Sequence, residues 1–323
     1  MKICIIGAGA MGGLYGTRLI MAGEEVHFVD NRQSVVDNIN QQGVHLTGVD
    51  GEHWIPAKAS VTASDFFPAD IAFIHTDTNN SAAAAKQANA VLDKQDGWCI
   101  TFQNGIGNVE KLQHELGIER VAGGISYHSA ASPEPGQSFH TNVGKTWIGE
   151  LNRKPSERID VLRTTLSNAG FDVQIADDIV AIIWSKFVLN CAVNPICAIT
   201  GFRTGEIGTH SAACEFQRRI LDEVLEVVDA RGISLVGQDP RATVEGLTDR
   251  LFNRPSMLQH MDAGLPTEID ALNGAVVQEG RSLGVSTPFN EALTLLIKAR
   301  NDQTIQEIHG PEIDYEALER RSK

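Results

Sequence analysis

Residues Lys2–Ile6 form a short apolar run, and Gly7-Ala8-Gly9-Ala10-Met11-Gly12 follows at once. A helical pattern then runs to about Met21, Gly23 ends it, and Glu25–Val29 is a second apolar run. This is G-x-G-x-x-G set between a strand and a helix, inside a βαβ unit of about 30 residues. No other feature of the chain narrows the fold as far. In that frame Gly7 permits a tight turn and Gly9 lets the backbone approach a pyrophosphate. Gly12 lets the helix pack closely on the strand. Ala8, Ala10 and Met11 complete a cofactor-binding loop whose helix N-terminus faces the phosphates. A signal-peptide reading is set aside, because Gly7, Gly9, Gly12, Gly13 and Gly16 interrupt the apolar run.

Asp30 ends the second strand, 23 residues after Gly7. An acidic side chain there binds the ribose hydroxyls of NAD and repels a 2′-phosphate. A plain strand-end turn explains Asp30-Asn31 as well. Arg32 can reach a phosphate, so NADH and NADPH both stay open as cofactors.

Strands are expected at 44–47 and 53–56, as a hairpin about Asp50-Gly51, and at 71–75, 98–102, 121–126, 137–141, 146–149 and 172–175. Helices are expected at 80–92, 109–116 and 158–168. The alternation predicts a parallel, doubly wound sheet. The loop Gln103-Asn104-Gly105-Ile106-Gly107-Asn108 follows a strand at its carboxyl end, where such sheets bind ligands. Asn104 is the candidate contact, although Asn-Gly is also an ordinary turn signal. Beyond Asp178 the period-2 runs vanish. The expected organisation is therefore a Rossmann-type dinucleotide-binding domain over 1–176 and an all-helical substrate domain over 177–323. Helices are expected there at 211–231, 240–249, 268–283 and 288–299. Thr267-Glu268-Ile269-Asp270 reads as an N-terminal capping signature. The polar tail from Glu312 reads as a surface helix or a frayed end.

Residues 184–194, Trp-Ser-Lys-Phe-Val-Leu-Asn-Cys-Ala-Val-Asn, read as a buried helix that Pro195 should kink. Lys186, Asn190 and Asn194 recur every four residues, so each lies about 40° around from the last and all share one stripe. A lone lysine on an apolar helix is costly to bury without a partner. The alternative is a lysine that snorkels to the surface beside two satisfied core amides. Glu268 and Ser256 likewise have ordinary readings, as a first-turn acid and a cap.

At 323 residues, two domains are expected. A net charge of −14 argues against nucleic acid or an anionic membrane as partner, and it leaves an anionic substrate in need of a local cation. Five scattered cysteines without a C-x-x-C pair fit a reducing, cytoplasmic compartment. The ten histidines show no metal spacing, so no metal is expected. The longest uncharged stretch, 187–202, is too short to span a bilayer.

Several blocks in order resemble the ketopantoate reductases, the NAD(P)H-dependent 2-dehydropantoate 2-reductases. They are residues 1–12, the Gln103–Asn108 loop and residues 184–194, then Pro255-Ser256-Met257-Leu258-Gln259 and Pro266-Thr267-Glu268-Ile269-Asp270-Ala271-Leu272-Asn273-Gly274. The resemblance covers nearly the whole chain. It implies a Rossmann domain followed by a helical domain, an active site in the cleft between them, and pairing into a homodimer through the helical domain. It makes Lys186 the catalytic lysine and Glu268 its partner. Asn190, Asn194 and Ser256 become substrate-binding groups, and Asn104 a contact near the nicotinamide. The implied activity is reduction of 2-dehydropantoate to (R)-pantoate, in pantothenate and coenzyme A synthesis.

The chain departs from the family at three places. Asn31, preceded by Asp30, stands where many members carry arginine, and Asp77 where many carry lysine. Both changes remove cations that would hold a 2′-phosphate, which favours NADH. His260 stands where an acid often follows Gln259. The competing readings are a related enzyme acting on another short branched 2-oxo or 2-hydroxy acid, and a dinucleotide sensor without turnover.

Overall fold

The computed structural model describes residues 1–237, 239–313, 315 and 320. The chain divides into two compact units, Met1–Trp184 and Ser185–Lys323.

The first unit runs β1 (Lys2–Ile6), α1 (Ala10–Met21), β2 (Glu25–Val29), α2 (Gln33–Gln42), β3 (Val44–Gly48), β4 (His53–Ile55) and β5 (Lys58–Ser60). It continues through β6 (Ile71–Ile74), α3 (Ser81–Val91), β7 (Trp98–Thr101), α4 (Asn108–Leu116), β8 (Val121–Ser126) and β9 (Ser129–Ala131). Then come β10 (Gln137–Asn142), β11 (Lys145–Glu150), α5 (Glu157–Asn168) and β12 (Asp172–Ile175). Eight strands form one sheet in the order β12-β11-β8-β7-β6-β1-β2-β5. From β5 to β8 the strands are parallel and keep the dinucleotide-binding order 3-2-1-4-5-6. The sheet is not parallel throughout, because β11 runs antiparallel to β8 and carries β12 parallel to itself.

A second, four-stranded sheet, β4-β3-β10-β9, was not foreseen. Its hairpin β3–β4 was, but β3 also pairs parallel with β10, far away in sequence. Helix α1 lies between the two sheets' cores: Leu14, Tyr15 and Leu19 are fully buried among Ile3, Ile5, Phe28 and Leu46.

Helix α6 (Ile179–Thr200) spans the division between the units. Its first turn is closed by Asp178, whose Oδ1 accepts the Ala181 amide at 3.1 Å. A boundary at 176/177 was expected, whereas the compact units part after Trp184, because the start of α6 packs on the first sheet. Ile179 and Ile183 lie where Gly123 has no side chain: a Cβ there would sit 3.2 and 3.1 Å from them. The helix also extends beyond residues 184–194 at both ends. The helix is 22 residues, long and apolar enough to cross a membrane by length and composition alone, yet it is mostly buried within the protein, as a core helix is.

The second unit continues with α7 (Thr204–Gly208), α8 (Ser211–Ala230), α9 (Pro240–Arg250), α10 (Ser256–Asp262), α11 (Asn273–Leu283) and α12 (Pro288–His309). Most of the tail from Glu312 lies outside the described residues. The expected helix start at Thr267-Glu268 is corrected. The Thr267 amide is taken by Asn301 Oδ1 at 2.9 Å, and only a 3-10 turn, Ile269–Ala271, follows Glu268. Leu272 (φ −108°, ψ −104°) then interrupts the run, so α11 begins at Asn273. Pro195 sits inside α6 without ending it.

Candidate active site

In the first unit the glycine loop lies between the carboxyl ends of β1 and β6, where the strand order reverses. Gly7 has φ +99°, and a Cβ there would meet the Thr76 amide nitrogen at 2.7 Å. A Cβ on Gly12 would fall 1.8 Å from the Gly7 carbonyl oxygen. These two glycines are required by the protein's own packing. Gly9 differs: a Cβ there meets only the Arg32 guanidinium, at 3.9 Å. Gly9 also caps α1 without a side-chain hydrogen bond, and the first turn of α1 contains no acid. Space is left over a helix N-terminus, which suits a pyrophosphate. Ala8 is buried, and Ala10 and Met11 are half-buried beside it.

Asp30 is 6% exposed, and both its oxygens are engaged. Oδ2 accepts the Ala8 amide at 2.9 Å, which ties β2 to the glycine loop. Oδ1 accepts the Arg32 amide at 3.0 Å. The Arg32 guanidinium completes a bidentate pair, Nε to Oδ1 at 2.9 Å and a terminal nitrogen to Oδ2 at 3.0 Å. The hydrogen bonds that Arg32 donates to Asp30 hold the guanidinium charged, and the nearby Asp77 carboxylate adds to this. Asn31 and Asp77 are exposed. Two carboxylates thus act on one guanidinium, Asp30 by direct contact and Asp77 through its charge.

The loop after β7 is stitched to the loop after β6. Gln103 Nε2 faces the Thr76 carbonyl at 2.9 Å and Ser81 Oγ at 3.0 Å. Ser81 Oγ donates to Asn108 Oδ1 at 2.7 Å, and Asn108 Nδ2 donates to the Asn104 carbonyl at 2.7 Å. These two amides were passed over in the sequence, where nothing but their place beside Asn104 marked them. They fix the loop backbone, whereas the half-buried Asn104 side chain has no hydrogen-bond partner among the described residues. Gly105, Ile106, Gly107 and Trp184 line a small cavity beside it. A larger cavity, about 280 Å³, is lined by Glu150, Ser156 and Arg158, but those three groups are already bonded to one another.

In the second unit Lys186 is half-buried on α6. Burial lowers its ammonium from the usual 10.5 to about 8, and the Glu268 carboxylate pulls the other way. Glu268 is itself only 8% exposed. The structure therefore brings these two sequence-selected groups into electrostatic contact. Asn190 and the 8%-exposed Asn194 follow Lys186 along the helix, and neither side chain has a hydrogen-bond partner among the described residues. They contrast with the core amides of the same unit. Gln217 Nε2 donates to the Ala192 carbonyl at 3.1 Å, and Asn273 Nδ2 to the Cys191 carbonyl at 3.2 Å. Core amides that donate to backbone carbonyls exist here, and the stripe residues are not among them. Ser256 is the first residue of α10, with Pro255 rather than Ser256 as its N-cap. His260 lies one turn further on the same face, with Nδ1 buried and unpartnered among the described residues. No cluster of three or more metal-ligating side chains occurs among the described residues.

The strand order, the loop at its reversal and the open Gly9 cradle define a Rossmann-type, dinucleotide-binding unit. Residues 3–153 match the family described as ketopantoate reductase PanE/ApbA, and residues 178–301 match its C-terminal part. The chain is 30% identical over 300 residues to the 2-dehydropantoate 2-reductase of Pyrococcus horikoshii, covering 93% of this chain and 97% of that one. Among solved structures, a PanE/ApbA family ketopantoate reductase from Ralstonia eutropha superposes with a TM-score of 0.87 at 28% identity, covering 94% and 99% of the two chains. A D-mandelate dehydrogenase with NADH and anilino(oxo)acetate superposes with a TM-score of 0.88 at 26% identity, over 94% and 99%. The chain belongs to the ketopantoate reductase family, and so to the NAD(P)-dependent oxidoreductases acting on CH–OH groups.

Proposed function

We propose that this protein reduces 2-dehydropantoate to (R)-pantoate, with Lys186 as the general acid and NADH as the preferred reductant. The observation that carries the reading is the stripe on α6. A desolvated ammonium is paired electrostatically with a buried carboxylate, and two amides beside it have no hydrogen-bond partner among the described residues. Gly7, Gly9, Gly12 and the N-terminus of α1 would hold the dinucleotide pyrophosphate. When bound, the reduced nicotinamide supplies a hydride to C2 of the 2-oxo acid.

The chain's own groups serve the substrate. Negative charge grows on the carbonyl oxygen, and Lys186 stabilises it and delivers the proton. Glu268 keeps Lys186 charged against its burial. Asn190, Asn194 and Ser256 can each donate and accept, which suits a carboxylate and a hydroxyl. In a protein of net charge −14, Lys186 also provides the cation that an anionic substrate needs.

The cofactor preference rests on Asp30, Arg32 and Asp77. Two carboxylates against one guanidinium leave a net negative patch, which opposes a 2′-phosphate. The five free cysteines, four of them buried, support a reducing, cytoplasmic setting.

The likeness to a D-mandelate dehydrogenase supports a second reading, a reductase or dehydrogenase of another 2-oxo or 2-hydroxy acid. Lys186 would serve there unchanged, since its chemistry does not depend on the acid's side chain. One assay separates the readings: nicotinamide oxidation with 2-dehydropantoate beside a panel of 2-oxo acids, phenylglyoxylate included. The highest kcat/KM with 2-dehydropantoate supports the first reading, and a higher value with an aryl 2-oxo acid refutes it. Inactivity with every member would instead favour a dinucleotide sensor.

A further inference from the structure

Pro195 lies in the interior of α6, so it has no N–H to give the carbonyl four residues back, that of Cys191. Such an orphaned carbonyl, buried, must find another donor. Here the donor is a side chain. Asn273 Nδ2, from the first residue of α11, reaches the Cys191 carbonyl at 3.2 Å. The next carbonyl, that of Ala192, accepts Gln217 Nε2 from α8 at 3.1 Å. Asn273 is fully buried and Gln217 is 5% exposed, so neither bond is exchanged for water.

Asn273 is in turn held in place. Its Nδ2 also donates to Asn290 Oδ1 at 2.9 Å, on α12. Asn290 Nδ2 donates to Glu223 Oε2 at 2.7 Å, on α8. The same carboxylate accepts the amides of Phe289 and Asn290, both at 2.9 Å, and so caps α12. A continuous buried chain therefore runs from Glu223 through Asn290 and Asn273 to the one carbonyl that Pro195 leaves without a donor. Cys191 stands directly after Asn190 and three residues before Asn194.

We infer that Asn273 is a positioning residue for the reaction. It replaces the missing Pro195 donor and so fixes the course of α6 where Asn190 and Asn194 leave the helix. This rests on the reading of Asn190 and Asn194 as substrate-binding groups. The coupling is specific. Proline frees the carbonyl, so restoring a backbone N–H at position 195 makes the Asn273 amide dispensable.

The test is a double-mutant cycle of Asn273→Ala and Pro195→Ala, read as the separate KM values for 2-oxo acid and for NADH. Asn273→Ala should raise the 2-oxo acid KM on the order of tenfold, because a shifted α6 misplaces Asn190 and Asn194. The KM for NADH should stay within about twofold, since the glycine loop belongs to the other unit. Adding Pro195→Ala should recover most of the loss. If Asn273→Ala fails to fold, the double variant should fold and bind substrate. The inference is overturned if Asn273→Ala leaves the 2-oxo acid KM unchanged, if both KM values rise together, or if Pro195→Ala rescues nothing. Asn190→Ala and Asn194→Ala run in parallel. If they leave the 2-oxo acid KM unchanged, the site reading itself fails. If they raise it while Asn273→Ala does not, only the positioning role fails.

Discussion

Replacing Glu268 by Gln removes one charge and keeps the side chain's size, so it isolates what that carboxylate does to Lys186. Burial has lowered the lysine from 10.5 to about 8. This corresponds to roughly 3 kcal/mol of net penalty on the ammonium, after Glu268 has offset part of it. At pH 7 about nine in ten lysines are then protonated and able to act as acid. An opposite charge close to a titrating group is worth about one to three pH units. Without it, the midpoint of Lys186 should fall from about 8 to about 7 or lower. The sign follows from the role: the acid must be protonated, so activity is lost as pH rises through the midpoint. The assay is the pH dependence of kcat/KM for 2-oxo acid reduction, which reports the free enzyme. In the wild type the alkaline limb should bend near 8, and in Glu268→Gln it should bend at least one unit lower, with activity retained below pH 6. An unmoved or raised alkaline midpoint in Glu268→Gln would refute the reasoning, as would full activity in Lys186→Ala.

Gly9→Val should fold as the wild type does, since only the Arg32 guanidinium lies within 4 Å of its Cβ, but NADH binding followed by fluorescence should weaken by about tenfold or more. Gly12→Ala should instead lose the fold, visible as an absent or much lower thermal transition, because its Cβ lands on the Gly7 carbonyl. Asp77→Lys should raise the NADPH-to-NADH ratio of kcat/KM by about tenfold or more, by turning a charge beside Arg32 from repelling to attracting a 2′-phosphate. Steady-state kinetics with both cofactors would show it, and an unchanged ratio would contradict the charge argument. The double variant Lys186→Met, Glu268→Gln should be inactive yet more stable at pH 7, by about 1–4 kcal/mol in denaturant titration. The folded lysine has the lower pKa, so its charge costs stability below about 8 and the cost is relieved as pH rises toward 10.5. The variant's advantage should therefore shrink over that range.

The parts of this molecule legible in the sequence are those set by neighbours a few residues apart. The glycine loop, the alternation of strands and helices and the Lys186–Asn194 stripe all follow from such spacing, and α6 lies where its apolar run placed it. What was hidden depends on distant partners. The pairing of β3 with β10 builds the second sheet, and no local pattern in either strand announces it. The capping signature at Thr267 failed because Asn301, far along the chain, takes the Thr267 amide. Asp30 read as a ribose ligand, and its bonds to the Ala8 amide and to Arg32 became visible only in the fold. Asn273 read as one residue in a family block, and its bond to the Cys191 carbonyl became visible only once α11 and α6 were folded together.

The two kinds of amide along α6 decide how its polar stripe should be understood. A helix this apolar is held by burial, and every polar group it buries must be matched or it costs about 1–3 kcal/mol. Where Pro195 breaks the hydrogen-bond ladder, the protein supplies a buried side-chain donor, Asn273, and Gln217 adds a second donor to the next carbonyl. The same fold could have matched Asn190 and Asn194, or replaced them with leucine. It does neither, and it keeps a desolvated ammonium beside them, opposed by a carboxylate that is itself buried. Burial disfavours the Lys186 ammonium, which Glu268 offsets in part, and a ligand with complementary charge and hydrogen-bonding groups would offset more. A 2-oxo acid has both: a carboxylate for the amides and a carbonyl oxygen that becomes an alkoxide for the lysine.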